Sequence, residues 1–298
     1  MISAILRPMT VGSATTDLQR LRAPVDDALR GFLADRRAAM GALDERAAAS
    51  VDELVRLTEA GGSRLRALCC CLGHRAAGGL DGPAIHRAGA ALELLHLMAL
   101  IHDDLMDATP TRRGVPASHV WLARAARAGG HSDPDHAGRA LATLVGDLAA
   151  VLADQLLLEA GFPTERLVPA LARYHQMRLE MAAGQYLDLT AAAGRAADPR
   201  RLAALKGGSY SVAGPLSIGA ILAGGSPGTL AVLDHVGTAL GLAFQLGDDL
   251  RDGDAAAGVT AAEVEALVAE AKAALDPAAL DPTALAALAA LVDQVGTR

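Results

Sequence analysis

The chain has 298 residues and a mass of 30.3 kDa, enough for one large domain or two small ones with a sizeable core. Hydrophobic residues make up 52% of it and the mean hydropathy is +0.27, which excludes a disordered protein. The formal net charge of −7 argues against a nucleic-acid partner, which would need a basic surface.

Helical periodicity runs along most of the sequence. Aromatic residues make up only 2%, and Ala and Leu favour helices whereas strands favour β-branched and aromatic residues, so the composition predicts an all-α fold. In chain order, the predicted helices span residues 24–49, 50–60, 63–77, 83–106, 137–159, 164–189, 199–223, 229–251, 261–275 and 282–295. We expect a single domain over residues 1–298, with long buried helices in the middle and shorter ones around them.

The sequence predicts a soluble, cytoplasmic protein. Its beginning, MISAILRPMTVGSATTD, lacks the basic start and long apolar core of a signal peptide. The uncharged stretch between Lys206 and Asp234 is broken by glycines and prolines, which favours packed helices over a membrane span. Cys69, Cys70 and Cys71 are consecutive, and neighbouring helical side chains point about 100° apart, so they cannot jointly ligate a metal. We interpret them as core residues of a reduced protein.

Two aspartate motifs with identical spacing carry the functional signal. Each has three aspartates at positions i, i+1 and i+4 after an apolar segment. They are Asp103, Asp104 and Asp107 in ALELLHLMALIHDDLMD, and Asp248, Asp249 and Asp252 in GLAFQLGDDLRD. On a helix, residues i and i+4 face the same way with Cβ atoms about 5–6 Å apart, so their carboxylates repel. Mg²⁺ resolves that conflict and also accepts phosphate oxygens. The repeated spacing therefore favours a metal site that binds a diphosphate over two helix ends that are merely exposed to water.

Basic residues occur where a diphosphate needs them. Arg112 and Arg113 follow the first motif after a short loop, and guanidinium groups suit phosphate oxygens. Arg66 lies in GGSRLR, His96 precedes the first motif by two turns, and Lys206 opens the uncharged stretch. Taken singly, each of these residues is more typical of an ordinary surface charge or, for His96, of a core histidine whose hydrogen bonds are satisfied. Their occurrence together needs a common explanation.

These segments resemble the trans-isoprenyl diphosphate (polyprenyl) synthase family. ELLHLMALIHDDLMDATPTRRG and GLAFQLGDDLRD are similar to its two aspartate-rich motifs, and GGSRLR, GDLAAVLADQLL, MAAGQYLDL and KGGSYSVAGPL follow the family's order. The resemblance covers about residues 54–252. It implies an isoprenoid-synthase bundle of long antiparallel helices around an apolar cavity. It also implies a homodimeric, Mg²⁺-dependent prenyltransferase that joins isopentenyl diphosphate head-to-tail to an allylic (dimethylallyl, geranyl or farnesyl) diphosphate.

The resemblance also implies roles for individual residues. The implied metal ligands, for three Mg²⁺ ions once the diphosphate is bound, are Asp103, Asp104, Asp107, Asp248, Asp249 and Asp252. The implied catalytic residues are Asp103, Asp107, Arg112, Lys206 and Asp248. Arg112, Lys206, Gln185 and Gln245 would contact the allylic side, and Arg66, His96 and Arg113 the isopentenyl diphosphate.

Product length in this family depends on residues about one turn before the first motif. Met98 and Ala99 occupy these positions, and Leu95 lies a turn deeper. Since none is aromatic, the resemblance favours the twenty-carbon geranylgeranyl diphosphate over farnesyl diphosphate, and longer products stay open.

The sequence departs from the family pattern in three places. Ser63 stands where the family has a lysine, and Gly207 follows Lys206 where a hydroxyl residue is usual. After Asp252 the only lysine is Lys272, whereas family members continue with a two-lysine loop. Either that segment is deleted from the protein or it is missing from the sequence as given. A deletion would remove the lid over the diphosphates.

Two other functions are compatible with this pattern. A non-catalytic subunit could pair with an active synthase and tune its product, although such a subunit has no need to keep six motif aspartates. A terpene cyclase on the same fold would line its pocket with aromatic rings, of which this chain has few.

Overall fold

The computed structural model describes residues 11–191, 198–253 and 258–296, apart from the side chains of residues 11–17, 191 and 252. Over these ranges all regular secondary structure is helical except for one small hairpin, which confirms the all-α prediction. The helices are α1 Val11–Leu43, α2 Glu45–Glu59, α3 Leu65–Ala76, α4 Pro83–Met106, α5 Ser118–Ala128, α6 Pro134–Leu158, α7 Thr164–Ala191, α8 Pro199–Ala203, α9 Gly214–Ala223, α10 Pro227–Asp252, α11 Ala261–Ala273 and α12 Pro282–Gly296. A π-helical segment, Ala204–Ala213, joins α8 to α9, and β1 Thr111–Arg112 pairs with β2 Val115–Pro116.

The described residues divide into two compact units. Those of Met1–Ala23, Leu65–Ile85 and Phe162–Arg298 make the first unit, and those of Pro24–Arg64 and His86–Gly161 make the second. The single domain over residues 1–298 stays a prediction.

The second unit contains α2, α5, α6, the hairpin and most of α1 and α4. α2 begins at Glu45 because the Asp44 carboxylate accepts a hydrogen bond from the Arg46 amide and caps the helix. Its apolar side, including the fully buried Val51 and Leu54, belongs to the core. α6 contacts both α2 and α5. The first aspartate motif lies at the end of α4 in the same unit.

The first unit surrounds α9, most of whose residues are buried. α3 and α7 both contact α9, and α10 contacts the π-helical segment, α9 and α11. Cys69, Cys70 and Cys71 are fully buried on α3, which confirms their interpretation as core residues. Burial raises the pKa of the Cys71 thiol to about 12, so it stays protonated and unreactive near neutral pH.

The helix boundaries correct the prediction at three points. Pro24, predicted as the first residue of a helix, lies inside α1, because a proline removes only one helical hydrogen bond and the flanking apolar stripe is buried. The break predicted after residue 49 lies at Asp44 instead, where the side chain caps α2. The periodicity predicts neither α5 nor the hairpin, since α5 buries only Ser118 and Ala123 and each strand has two residues.

Three described helices are long and apolar enough to cross a membrane by length and composition. They are Pro83–Met106, Pro134–Leu158 and Pro227–Arg251, with 61%, 44% and 50% of their apolar windows buried inside the protein. The absence of a membrane span stays a prediction.

Candidate active site

The first aspartate motif lies at the C-terminal end of α4. The helix ends at Met106, where the amide of Thr109 donates to the carbonyl of Asp104 at 3.0 Å. Asp103 is half-buried, Asp104 is 3% exposed, and Asp107 is exposed. The C-terminal end of a helix carries a partial negative charge, so these carboxylates are repelled by the helix as well as by one another. A cation at this point relieves both repulsions.

Arg112 is the cation that the structure places beside this motif. Its Nε donates to Asp104 Oδ1 at 2.9 Å, and its Nη2 donates to the same oxygen and to Asp103 Oδ2, the latter at 3.2 Å. Burial raises the pKa of the Asp104 carboxyl above its ordinary value, and the hydrogen bonds from Arg112 oppose that rise. The structure thus brings three sequence-predicted residues into one group.

Arg113 lies against the end of α2. It and Gly114 form the turn of the hairpin, with φ angles of 53° and 77°. Arg113 Nη1 donates to the carbonyl of Gly61, and the guanidinium lies 2.7–2.9 Å from where a Cβ on Gly62 would be. Any side chain at position 62 would displace Arg113. The cation therefore lies beside Gly62, the residue that precedes Ser63.

A small apolar pocket adjoins these charges in the second unit. Its lining consists of Leu57, Ala60, Leu97, Leu100, Ile101, Asp104, Arg112 and Arg113. Aliphatic walls beside two guanidinium groups suit a ligand with an apolar body and an anionic end. Of the other predicted residues on α4, Leu95 is fully buried, and His96, Met98 and Ala99 are half-buried.

The second aspartate motif lies at the C-terminal end of α10, which Gly253 closes with a φ of 79°. Asp248 is paired with Arg251, and Asp249 Oδ1 accepts a 2.8 Å hydrogen bond from Gln245 Nε2. Burial raises the pKa of Asp249, and the bond from Gln245 opposes the rise. The Asp252 side chain lies outside the described residues. Both motifs thus stand at the end of a helix that disfavours carboxylates.

Lys206 lies in the π-helical segment of the first unit. Its Nζ donates to Asp188 Oδ2 on α7 at 2.6 Å, and both charges act on Asp249. Gly207 lies directly against the Gln245 side chain, because a Cβ at that position would lie 1.7 Å from Gln245 Oε1. A side chain at position 207 would therefore displace Gln245.

Asp188 was not among the predicted site residues, although it lies in the segment MAAGQYLDL that carries the resemblance. Its ion pair joins residues 18 positions apart, so spacing along a single helix does not reveal it. Gln185, which was predicted, is half-buried on the same helix.

Arg66 is buried in the first unit, with 8% of the residue exposed. Its Nη2 donates to Ser211 Oγ at 2.7 Å, and its guanidinium carbon lies 4.5 Å from the Tyr210 ring centroid. Its Nε is buried without a hydrogen-bond partner among the described residues. A desolvated guanidinium with an unused donor has the chemistry of an anion-binding group.

The donor set suits Mg²⁺ held partly by a substrate. Among the described residues, no three His, Cys, Asp or Glu side chains are grouped to hold a metal by themselves. Mg²⁺ commonly uses one or two carboxylates and completes its shell with water and substrate phosphate oxygens, so each motif fits that role. The meeting of the two motifs at one cavity and the individual metal ligands stay predictions.

A family model described as polyprenyl synthetase matches residues 50–263 of the chain. A geranylgeranyl diphosphate synthase from Sulfolobus acidocaldarius is 33% identical over 212 residues, covering 65% of this chain and 55% of that protein. A short chain isoprenyl diphosphate synthase from Methanothermobacter thermautotrophicus is 34% identical over 205 residues, covering 66% and 56%. The chain therefore spans about half the length of these curated relatives.

Solved structures share the fold. The crystal structure of a geranylgeranyl pyrophosphate synthase from Corynebacterium glutamicum, complexed with isoprenyl diphosphate and magnesium, has a TM-score of 0.84 and 27% sequence identity. The match covers 92% of this chain and 97% of that one.

Proposed function

Since the chain belongs to the polyprenyl synthetase family, we propose that it joins isopentenyl diphosphate head-to-tail to an allylic diphosphate and releases a linear prenyl diphosphate. The observation that carries this proposal is the group at the end of α4: a helix C-terminus with three aspartates, the guanidinium of Arg112 bonded to two of them, and an apolar pocket alongside. Such a group suits a substrate that is anionic at one end and aliphatic at the other.

Mg²⁺ is the proposed cofactor, with Asp103 and Asp107 in the first motif and Asp248 and Asp252 in the second as its main ligands. When bound, it neutralises the leaving diphosphate so that the allylic carbon–oxygen bond can ionise. Asp104 and Asp249 complete the proposed ligand set, and three ions are the proposed complement. The carboxylates carry the same sign of charge as a diphosphate and cannot neutralise it. Arginine and lysine side chains around the site are therefore needed as well.

Arg112 and Lys206 are the proposed allylic-diphosphate cations. Arg112 is paired with Asp103 and Asp104, and Lys206 is paired with Asp188. A bound diphosphate would accept hydrogen bonds from the same N–H groups that these carboxylates use. Gln185 and Gln245 are proposed on the same side.

Arg113, Arg66 and His96 are the proposed contacts for isopentenyl diphosphate. The unused Nε of Arg66 supports its part in this set. The double bond of isopentenyl diphosphate attacks the allylic cation, and the released diphosphate removes the proton, so no nucleophilic side chain is required. Aliphatic walls such as Leu97 and Leu100 keep water from quenching the cation.

Geranylgeranyl diphosphate is the proposed product, and farnesyl diphosphate is the second candidate. The half-buried Met98 and Ala99 and the fully buried Leu95 support this choice, because none of them presents a ring to stop a growing chain. The name of the Sulfolobus acidocaldarius relative also supports a twenty-carbon product.

A cytoplasmic homodimer is the proposed state of the protein. α6 exposes an apolar stripe that a second copy could cover, consisting of Leu141, Leu144, Val151 and Leu158. Three buried cysteines that form no disulfide are typical of a reducing compartment, which supports the cytoplasmic location.

The decisive experiment incubates the purified protein with Mg²⁺, isopentenyl diphosphate and each allylic starter, and identifies products by mass spectrometry. A linear prenyl diphosphate supports the proposal, and a hydrocarbon would indicate a cyclase. Turnover that appears only with an added synthase would indicate a non-catalytic subunit. Asp103→Ala should lower turnover by orders of magnitude with an unchanged melting curve, whereas the exposed Asp135→Ala should leave turnover unchanged.

A further inference from the structure

The hairpin that carries Arg112 and Arg113 is too small to hold its own shape. Each strand has two residues, and Thr111 is paired with Pro116. The turn places Arg113 and Gly114 at positive φ, a conformation that arginine rarely adopts. A two-stranded hairpin is at best marginally stable in water even when it is longer. Contacts outside the hairpin must therefore fix its position.

A buried ion pair on α2 makes such contacts. Glu53, whose side chain is 1% exposed, accepts two hydrogen bonds of 2.6 Å from Arg56. Arg56 Nη2 also donates to the carbonyl of Pro116 at 3.0 Å, and its guanidinium carbon lies 5.0 Å from the Trp121 ring centroid. Ser118 Oγ donates to Glu53 Oε1 at 2.6 Å. The pair thus holds β2 at Pro116 and the start of α5 at Ser118.

Stability alone does not account for a charged pair at this place. Taking charges out of water is costly, and well-packed apolar residues of similar volume are often at least as stable as a buried ion pair. An apolar pair could not, however, donate to the Pro116 carbonyl or accept the Ser118 hydroxyl. The planar fork of an arginine reaches two acceptors in fixed directions, which a lysine does not. The polar contacts therefore specify where the hairpin lies on α2.

The same helix meets the hairpin again at its end. Arg113 donates to the carbonyl of Gly61, two residues beyond the last residue of α2, Glu59. Arg56 donates to Pro116 and Arg113 donates to Gly61, so α2 and the residues just after it fix both the base and the turn of the hairpin. A shift at the base would move both arginines of the hairpin.

We propose that Glu53 and Arg56 are positioning residues for diphosphate binding: they act through the hairpin, holding Arg112 at Asp104 and Arg113 at Gly61. This inference rests on the proposed function, because it takes the hairpin arginines to be diphosphate ligands. Neither Glu53 nor Arg56 needs to touch the substrate for the effect to appear.

The test measures binding of inorganic diphosphate at fixed Mg²⁺ by titration calorimetry, together with kcat and KM for both substrates. The variants are Arg56→Met, Arg56→Lys, Glu53→Gln and Ser118→Ala. The matched control is Arg37→Met, which breaks a 2.6 Å ion pair between α1 and Asp52 of α2 that lies exposed at the surface. Melting curves establish which variants are folded.

We expect Arg56→Met to weaken diphosphate binding about tenfold and to raise KM by a similar factor, with a smaller change in kcat. Arg56→Lys should recover only part of the loss, and Ser118→Ala, which deletes one hydroxyl and keeps the fold, should weaken binding about two- to threefold. A purely structural role would lower the active fraction, and hence kcat, at unchanged KM.

Binding by folded Arg56→Lys and Ser118→Ala that equals that of Arg37→Met would overturn the inference, even if Arg56→Met does not fold. A wild-type protein that binds no diphosphate would overturn it as well. A wild type that binds diphosphate but makes no prenyl product would overturn only the proposed function.

Discussion

Asp104 holds Arg112 through a single oxygen: Oδ1 accepts hydrogen bonds from both Nε and Nη2 of the guanidinium. Its neighbour Asp103 takes only the 3.2 Å bond from Nη2. Asp104 is 3% exposed, whereas the Asp103 side chain is 30% exposed and Asp107 lies at the surface. The three aspartates of the first motif therefore face different surroundings: Asp104 is buried against Arg112, Asp103 is half-buried at the edge of the same guanidinium, and Asp107 is exposed.

Asp104→Asn should weaken substrate binding through Arg112. The loss of a charge-assisted hydrogen bond, worth about 1.5–3 kcal/mol, predicts a rise of about tenfold or more in KM for the allylic diphosphate. Asp103→Asn should instead raise the Mg²⁺ concentration needed for half-maximal rate. Initial rates over a grid of Mg²⁺ and allylic diphosphate concentrations separate the two effects. An Asp104→Asn enzyme with an unchanged KM for the allylic diphosphate would contradict the role of Asp104 in holding Arg112.

Ser63→Lys should strengthen the site for isopentenyl diphosphate. Ser63 follows Gly62, against which the Arg113 guanidinium is packed, so a lysine there adds a second cation close to the first. We expect KM for isopentenyl diphosphate to fall about three- to tenfold at low salt, with a smaller gain at high salt because screening weakens the attraction. Ser63→Met supplies the length without the charge and should give no gain. An equal improvement in both variants would point to packing rather than charge.

Met98→Phe should shorten the product. Met98 is half-buried on α4, one turn before the aspartates, and a rigid ring there would stop a growing chain that a flexible thioether lets pass. The expected result is a shift from twenty-carbon to fifteen-carbon products in chromatograms of the dephosphorylated lipids. Met40→Phe, the same change at a half-buried position on α1, should leave the distribution unchanged. An identical product distribution in the wild type, Met98→Phe and Met40→Phe would refute the chain-length role of Met98.

The parts of the site that lie on long helices were predictable from the sequence. The segment predicted over 83–106 has the bounds of α4, because an apolar run bounded by Pro83 and an acidic end leaves few alternatives. The aspartate spacing of the two motifs then fixes which side chains share a helix face. The proximity of Arg112 to the first motif follows from its place in a short loop.

The parts that depend on contacts between distant segments were not predictable. Glu53 falls in an ordinary amphipathic helix, and it accepts a hydrogen bond from Ser118, 65 positions away. In the π-helical segment, Gly207 lies directly against the side chain of Gln245 on α10. Neither interaction leaves a periodic pattern, since periodicity reports only which face of one element is apolar.

Glu180→Gln should destabilise the protein in a pH-dependent way. Burial disfavours the Glu180 carboxylate, but hydrogen bonds from Ser209 and Gln176 and the charge of Arg173 outweigh it and lower its pKa below the ordinary 4.5. A carboxyl group whose pKa is lower in the folded than in the unfolded state stabilises the fold above the unfolded pKa, and this contribution is lost as the pH falls through the folded pKa. We expect a melting temperature about 2–4 °C below wild type at pH 7, with the gap closing progressively below pH 4.5. Glu265→Gln, at an exposed position on α11, should show no such gap at any pH. A gap between Glu180→Gln and wild type that stays constant or widens in acid would show that the charge of Glu180 contributes nothing to stability.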